Sequence, residues 1–577
     1  MLRSARTLTA PRNFGPVRTQ TTMKNLLRRI DTAYSLNVVG VIVGLLGFAA
    51  AMTPSLLPRP PLFTGVLAAS GFMLGYGAGV AIYRLYYWTL DKPPPDGARH
   101  TPGLLLYIVA AVVLVAGIIL SQLWQNQVRE LIGIEPADGL ALVGILGYFA
   151  VLSTLVLLVA RGVRKVYRLT RARMAKFSQV PRRLATILSL FIATVVIVAV
   201  IDGAVLDNVY AHLDSNFAAI NLRTNAGVEQ PTTPLRSGGP GSLVDWETLG
   251  RHGRSFVGSG PDAKLIADFT GQPALQPIRV YVSGKQAPNA AARAQLAVKE
   301  LERTGAFKRK LLIVSTTTGS GWIEPASAAA IEYMHGGDTA HVTIQYSYFP
   351  SALALMASRT EATDSGRALF DAVFDRWEQL PEGARPALIV QGLSLGSFGG
   401  QAAFSSAADF AMRSDGALFL GTPGFAQPWR QFTRNRDAGS LEIKPVYRGG
   451  RIVRFANDRA DLNAMLDDRR GPRVLFLQYA TDPICWWSPD LVWHEPDWMR
   501  EPKGEGVSDS LRWFPVITFL QITLDQYFSN HTPNGHGHNY APDIVAAWAA
   551  VVPPAGWTVE QSDRLQKLID ARYADPL

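Results

Sequence analysis

The chain has a single cysteine, Cys485, among 577 residues. Neither an intrachain disulfide nor a cysteine-built metal centre can form within it. Histidine is also scarce, with nine residues, and the His-x-His pair at His536 and His538 lacks the further ligands that a zinc site requires. Neither a metal nor a cofactor is expected. Charged residues make up only 18% of the chain, and five long apolar runs carry no Lys, Arg, Glu or His in their middles. That lack argues against an ion pathway or proton relay, which intramembrane ionisable groups usually mark.

The five runs lie near 36–57, 62–83, 103–123, 139–160 and 184–204. Each is long enough to cross a bilayer, for which a helix needs about 20 residues. The first starts too late and runs too long for a cleaved signal peptide. The net charge of +10 is concentrated in three segments, 2–34, 84–102 and 161–183, which hold 19 basic and 3 acidic residues. The rest of the chain is net acidic, so the basicity belongs to loops flanking membrane spans and nucleic-acid binding is not expected. By the positive-inside rule these three loops are cytoplasmic, and an odd number of spans places everything after residue 206 on the other side. In the second run Gly71, Gly75 and Gly79 recur every four residues, giving a smooth helix face. Such a face suits close packing against another helix of the chain or, as a homo-oligomer contact, of a second copy.

After residue 206 the composition becomes that of a soluble α/β protein. Residues 207–262 are polar and turn-rich and read as a linker. Six apolar stretches then follow as strands, at 277–284, 310–316, 341–348, 386–392, 416–422 and 473–481, separated by helical patterns. Several are almost unbroken Val, Ile and Leu, as expected of parallel strands buried on both faces. The organisation expected is therefore a basic arm (1–34), a five-span membrane domain (35–206), a linker (207–262) and a doubly wound, mostly parallel α/β domain (263–577).

The chemistry centres on Gly392-Leu393-Ser394-Leu395-Gly396, which fits G-x-S-x-G. A bare match is weak, and a structural glycine turn is the plain alternative. Here the motif follows a buried strand and opens a small-residue helix, the setting that lifts a serine out as a nucleophile. Ser397 lacks the flanking glycines. A serine needs a base, and the base needs an orienting acid. Asp482 follows the last strand and stands at the same sheet edge, whereas Asp490 and Asp497 follow no buried strand. The base comes from the His-Thr-Pro-Asn-Gly-His-Gly-His loop; His538, set just before the last helical stretch, is preferred, with His536 as the alternative. Oxyanion donors are expected from the Leu395 amide and from the loop Thr317-Thr318-Gly319, with Trp322 as a wall of the pocket.

On the stretches VSTTTGSGW, IEYMHGGDTAHVTIQYSYFPS, GLSLGS, YATDPICWW and GHGHNY the chain resembles bacterial multi-pass membrane proteins with a C-terminal α/β-hydrolase domain. The resemblance spans nearly the whole chain. It implies Ser394 as nucleophile, Asp482 as acid and a histidine of GHGHNY as base, although TTTGSG replaces the HGGG loop of better-known esterases. The expectation is a serine esterase or lipase in the bacterial cytoplasmic membrane, its catalytic domain extracytoplasmic, acting on a lipid or cell-envelope ester. A non-enzymatic envelope scaffold on the same fold is the rival reading, since fold alone does not prove activity.

Overall fold

The computed structural model describes residues 36–91, 104–137, 141–174, 207–357, 359–468 and 473–573, with 191, 194 and 195. Four apolar helices come first: α1 (Val38–Ala51), α2 (Pro61–Thr89), α3 (Leu104–Leu131) and α4 (Leu142–Met174). Among the described residues three helices, α2 to α4, are long and apolar enough to cross a membrane. This corrects the expectation for the first of the five runs. The first run yields only the 14 residues of α1, because Thr53, Pro54 and Ser55 leave the helix at its C-terminal end. The fifth expected span lies almost wholly outside the described residues.

The chain divides into two compact units. In the first, α1 packs on the glycine face of α2. A Cβ on Gly71 would lie 2.5 Å from the Gly47 carbonyl oxygen, one on Gly75 2.4 Å from that of Val43, and one on Gly79 2.7 Å from that of Val39. Only glycine allows the backbones this close. The face is filled by α1 of the same chain, which is the first of the two packings expected for Gly71, Gly75 and Gly79.

The second unit takes in the described residues of Thr53–Phe63, Gln122–Gly139 and Leu157–Leu577. Its centre is a seven-stranded sheet in the order β1-β3-β2-β4-β5-β7-β6. The strands are β1 (Ile278–Val282), β2 (Leu311–Thr316), β3 (Thr339–Ile344), β4 (Ala387–Leu393), β5 (Gly416–Leu420), β6 (Val453–Ala456) and β7 (Val474–Leu477). Every pairing is parallel. The unbroken apolar runs divide by alternation. Leu312, Val314, Leu388, Val390 and Phe419 point into one core, while Leu311, Ile313, Ile389, Leu418 and Leu420 point into the other. Covering both faces of the sheet is what selects such sequences. Each such side chain contributes roughly 1.5–3 kcal/mol on full burial.

Strand β6 was missed in the sequence. Its four residues follow two glycines and include Arg454, which leaves too short an apolar run to stand out. The expected linker is also corrected, because much of 207–262 is folded onto the sheet edge. Ser237 N donates to Arg279 O at 3.0 Å, Arg279 N donates to Leu235 O at 3.2 Å, and Val244, Leu249 and Val257 are fully buried or nearly so. Polar composition hid this, because the buried groups include Arg236, whose guanidinium donates to the carbonyls of Val257, Ser259 and Pro261.

Two further helices shape the site: α5 (Leu395–Gln401), directly after β4, and α6 (Ile517–Asp525).

Candidate active site

Because all strands run parallel, their C-terminal ends share one edge, and there the sheet's loops can converge. Ser394 stands between β4 and α5 with φ 56° and ψ −124°, one of four non-glycine residues with positive φ among those described. A left-handed serine is strained, and such strain gathers at functional sites. The glycines around it make the turn possible. A Cβ on Gly392 would fall 2.4 Å from the Gly396 carbonyl, and one on Gly396 would fall 2.3 Å from the Thr316 oxygen. The motif is thus a sharp strand–turn–helix corner, as its spacing suggested.

Asp482 lies beyond β7 and is fully buried. Its Oδ1 accepts from Ile484 N at 2.8 Å, which makes it the N-cap of the short helix Pro483–Trp486. Its Oδ2 accepts three donors: His538 Nδ1 at 2.7 Å, the Tyr540 hydroxyl at 2.7 Å and the Cys485 thiol at 3.3 Å. Burial, reinforced by the Asp482 charge, pushes both the Tyr540 phenol and the Cys485 thiol well above their ordinary values. Both therefore remain protonated donors to the carboxylate at neutral pH.

His538 is fixed from several sides. Its backbone N donates to Ser529 O at 2.7 Å, and Gly537 N donates to Thr481 Oγ1 at 2.9 Å. The ring lies against Gly421, at the end of β5, where an added Cβ would come within 2.3 Å of His538 Cε1. The residue before it, Leu420, accepts the Ser394 backbone N–H at 2.9 Å. Ser394 and the imidazole thus each touch the Leu420–Gly421 end of β5. His538 Nε2 is buried and makes no hydrogen bond with Ser394 or any other described residue.

The other candidates fall elsewhere. The His536 ring packs by Gly506, 2.9 Å from where a Cβ would sit, and burial lowers its pKa from the ordinary value. Asp490 forms ion pairs with Arg430 and Arg434, and Asp497 with Arg436 and Arg500. Ser397 is buried in α5, sharing a hydrogen bond with Thr422.

In the loop after β2, the Thr318 amide donates to Trp322 O at 3.0 Å, and Gly321 N donates to Thr318 O at 3.0 Å. That tight turn commits the Thr318 N–H, so Thr318 is corrected as an oxyanion donor. Trp322 packs on the core rather than on the cleft at Ser394. Gly319 is pressed against Ala354 and the Phe349 carbonyl. Thr317 is fully buried beside Gly396, and Leu395 heads α5, whose first-turn amides have no intrahelical acceptor.

A cleft opens at Ser394, lined by Leu355, Leu395, Phe425, Ile484, Trp487 and Gln526 among others. The tryptophan-rich segment divides its roles. Trp486 and Trp498 are core residues, Trp487 lines the cleft, and Trp493 is 71% exposed. Tyr540, Gly421 and Phe425 carried no assignment in the sequence, although Tyr540 lies two residues after His538 and Gly421 directly follows an apolar strand.

No three His, Cys, Asp or Glu side chains group to hold a metal among the described residues. Comparison with known families gives two matches, which lie in sequence over the two parts of the chain. One, described as an alpha/beta-hydrolase family, matches residues 278–565; the other, the N-terminal region of an alpha/beta-hydrolase family, matches residues 52–261. No match is found among curated proteins or among solved structures.

Proposed function

The chain belongs to this α/β-hydrolase family, and from that premise we propose that it is a membrane-anchored serine hydrolase of the esterase or lipase type. Ser394 is the nucleophile, His538 the base and Asp482 the orienting acid. The observation that carries the reading is the 2.7 Å contact from His538 Nδ1 to buried Asp482, beside a serine held at positive φ.

Substrate binding brings the ester carbonyl to Ser394 Oγ. The Oγ–acyl bond forms as the hydroxyl proton passes to His538 Nε2, which is otherwise unpartnered. The ester C–O bond breaks, and the imidazolium returns the proton to the departing alcohol. Water then attacks the acyl-serine, again through His538, releasing the acid and restoring Ser394. Asp482 stabilises the imidazolium without taking the proton. The Leu395 amide, with Thr317 or Gly319 across from it, stabilises the oxyanion.

The apolar cleft and the spanning helices support a lipid or cell-envelope ester as substrate. They also support a topology in which the basic loops face the cytoplasm and the catalytic domain lies across the cytoplasmic membrane. The connectors 53–63 and 122–137, which this topology puts on the non-cytoplasmic side, fall in the same compact unit as the catalytic domain. The test is labelling of the full chain with a fluorophosphonate probe. Modification confined to Ser394, and lost in Ser394→Ala, is the expected result; labelling that persists in Ser394→Ala refutes the assignment.

A further inference from the structure

Helix α6 has two attachments. On one side it builds the cleft: Trp487 donates its indole N–H to Thr523 at 2.8 Å and packs on Phe519 at 5.5 Å, and Gln526 directly follows the helix. On the other, Gln521 and Asp525, one helical turn apart, hold the segment that joins α1 to α2. Gln521 Nε2 donates to Thr53 O at 3.0 Å. Asp525 Oδ2 accepts from Ser55 Oγ, from Leu56 N at 3.0 Å and from Leu57 N at 3.4 Å. Leu56 and Leu57 are fully buried in the larger core of the catalytic domain. Phe63, at the far end of the segment, stacks on Tyr527 at 5.3 Å and meets Phe528 edge-on at 4.7 Å.

A plain tether would have no need to enter the core or to spend a fully buried carboxylate on its own backbone amides. The segment is continuous in sequence with two apolar helices, α1 and α2. Tyr527, next to Gln526 of the cleft, is 72% exposed, and exposed aromatic rings favour the membrane–water interface.

Resting on the serine-hydrolase reading above, we propose that the Thr53–Phe63 connector is part of the substrate site. It sets the α6 wall of the cleft so that the acyl chain of a bilayer-resident ester reaches Ser394 from the membrane surface rather than from solution. Gln521 and Asp525 are positioning residues, and the apolar faces of Leu355, Phe425, Ile484 and Trp487 receive the chain.

The test uses the full chain reconstituted in dioleoylphosphatidylcholine vesicles. Hydrolysis of 4-methylumbelliferyl oleate dissolved in the vesicles is compared with that of 4-methylumbelliferyl butyrate in solution, alongside fluorophosphonate labelling. The native chain should prefer the oleate ester. Gln521→Ala should lower the oleate-to-butyrate rate ratio about tenfold, since loss of protein alone lowers both rates together. Tyr527→Ser, at an exposed position where folding is not at risk, should lower the ratio in the same direction. An unchanged ratio in both variants, or a native preference for butyrate, overturns the proposal while labelling at Ser394 persists. Absence of labelling and of both activities in the native chain overturns instead the hydrolase reading beneath it.

Discussion

Tyr540 and His538 donate to the same oxygen, Oδ2 of Asp482, each at 2.7 Å. The phenol also accepts from Tyr479 N at 3.2 Å, lies flat on the Tyr479 ring at 4.5 Å and meets the His538 ring edge-on. Tyr540 therefore both fixes the carboxylate and shares its charge. Tyr540→Phe keeps the ring stacking and removes one donor to a buried anion, an interaction worth about 1.5–3 kcal/mol. The carboxylate that orients His538 is then held by one donor fewer. The expected outcome is a roughly tenfold loss of turnover, with probe labelling of Ser394 slowed alongside it. Ester hydrolysis measures the first and labelling the second; full turnover in a folded Tyr540→Phe would reduce Tyr540 to packing alone.

Gly421 is the second contact that no catalytic motif announces. Its φ of +52° disfavours any side chain, and a methyl group there would meet His538 Cε1 at 2.3 Å and Nδ1 at 2.7 Å. Gly421→Ala must push the ring away from Asp482. Probe labelling of Ser394 should fall about a hundredfold, as expected when a reacting group is displaced by about 1 Å. Thermal unfolding, followed in parallel, should shift only modestly, because the change is at a strand end.

His536 stands apart from the proposed triad, and its burial gives it a pH signature of its own. Burial lowers the pKa of His536 from 6.5, so as pH falls the unfolded chain takes up this proton before the folded one does. Stability linked to His536 is therefore complete above the ordinary histidine range and declines as pH drops through it. His536→Asn should remove that part of the acid sensitivity, so that its denaturation midpoint changes less than the native one between pH 7 and pH 5. Probe labelling should survive in His536→Asn and vanish in His538→Ala. Survival in the second variant would exclude His538 as the base.

Much of the site was legible because local backbone chemistry writes it into the sequence. Gly392 and Gly396 are demanded by contacts under 2.5 Å, and apolar runs such as Leu311–Thr316 by burial on both faces. Asp482 is picked out in the sequence because it follows the last strong strand, although β7 itself ends at Leu477 and the residues between form a turn. What the sequence hid depends on contacts between distant segments. Nothing local in Ser55 or Asp525 signals that they meet across 470 positions. Likewise Arg236 and Arg254 look like solvent-facing residues of a linker until the carbonyls that accept from their guanidinium groups are known. The Thr318 amide was misjudged for the same reason, since its acceptor is set by a turn and not by residue type.

Asp482 gives the sharpest test of the proposed triad. In Asp482→Asn, Oδ1 can still accept from Ile484 N, so the N-cap of the following helix survives. The amide that replaces Oδ2, however, turns a donor toward His538 Nδ1, Tyr540 and Cys485, which all donate to the native oxygen. The imidazole must then adopt the other tautomer, with its proton on Nε2, where it cannot accept from Ser394. Turnover should fall roughly 10³–10⁴-fold with substrate binding little changed. Asp490→Asn and Asp497→Asn weaken ion pairs at exposed positions, with Arg430 and Arg434 in the first case and with Arg436 and Arg500 in the second. Each should keep nearly full activity, because exposed pairs contribute little. The measurement is hydrolysis of a short-chain nitrophenyl ester by detergent-solubilised protein, with thermal unfolding as the check on folding. Full activity in a folded Asp482→Asn, or collapse in a folded Asp490→Asn or Asp497→Asn, would move the acid to another residue.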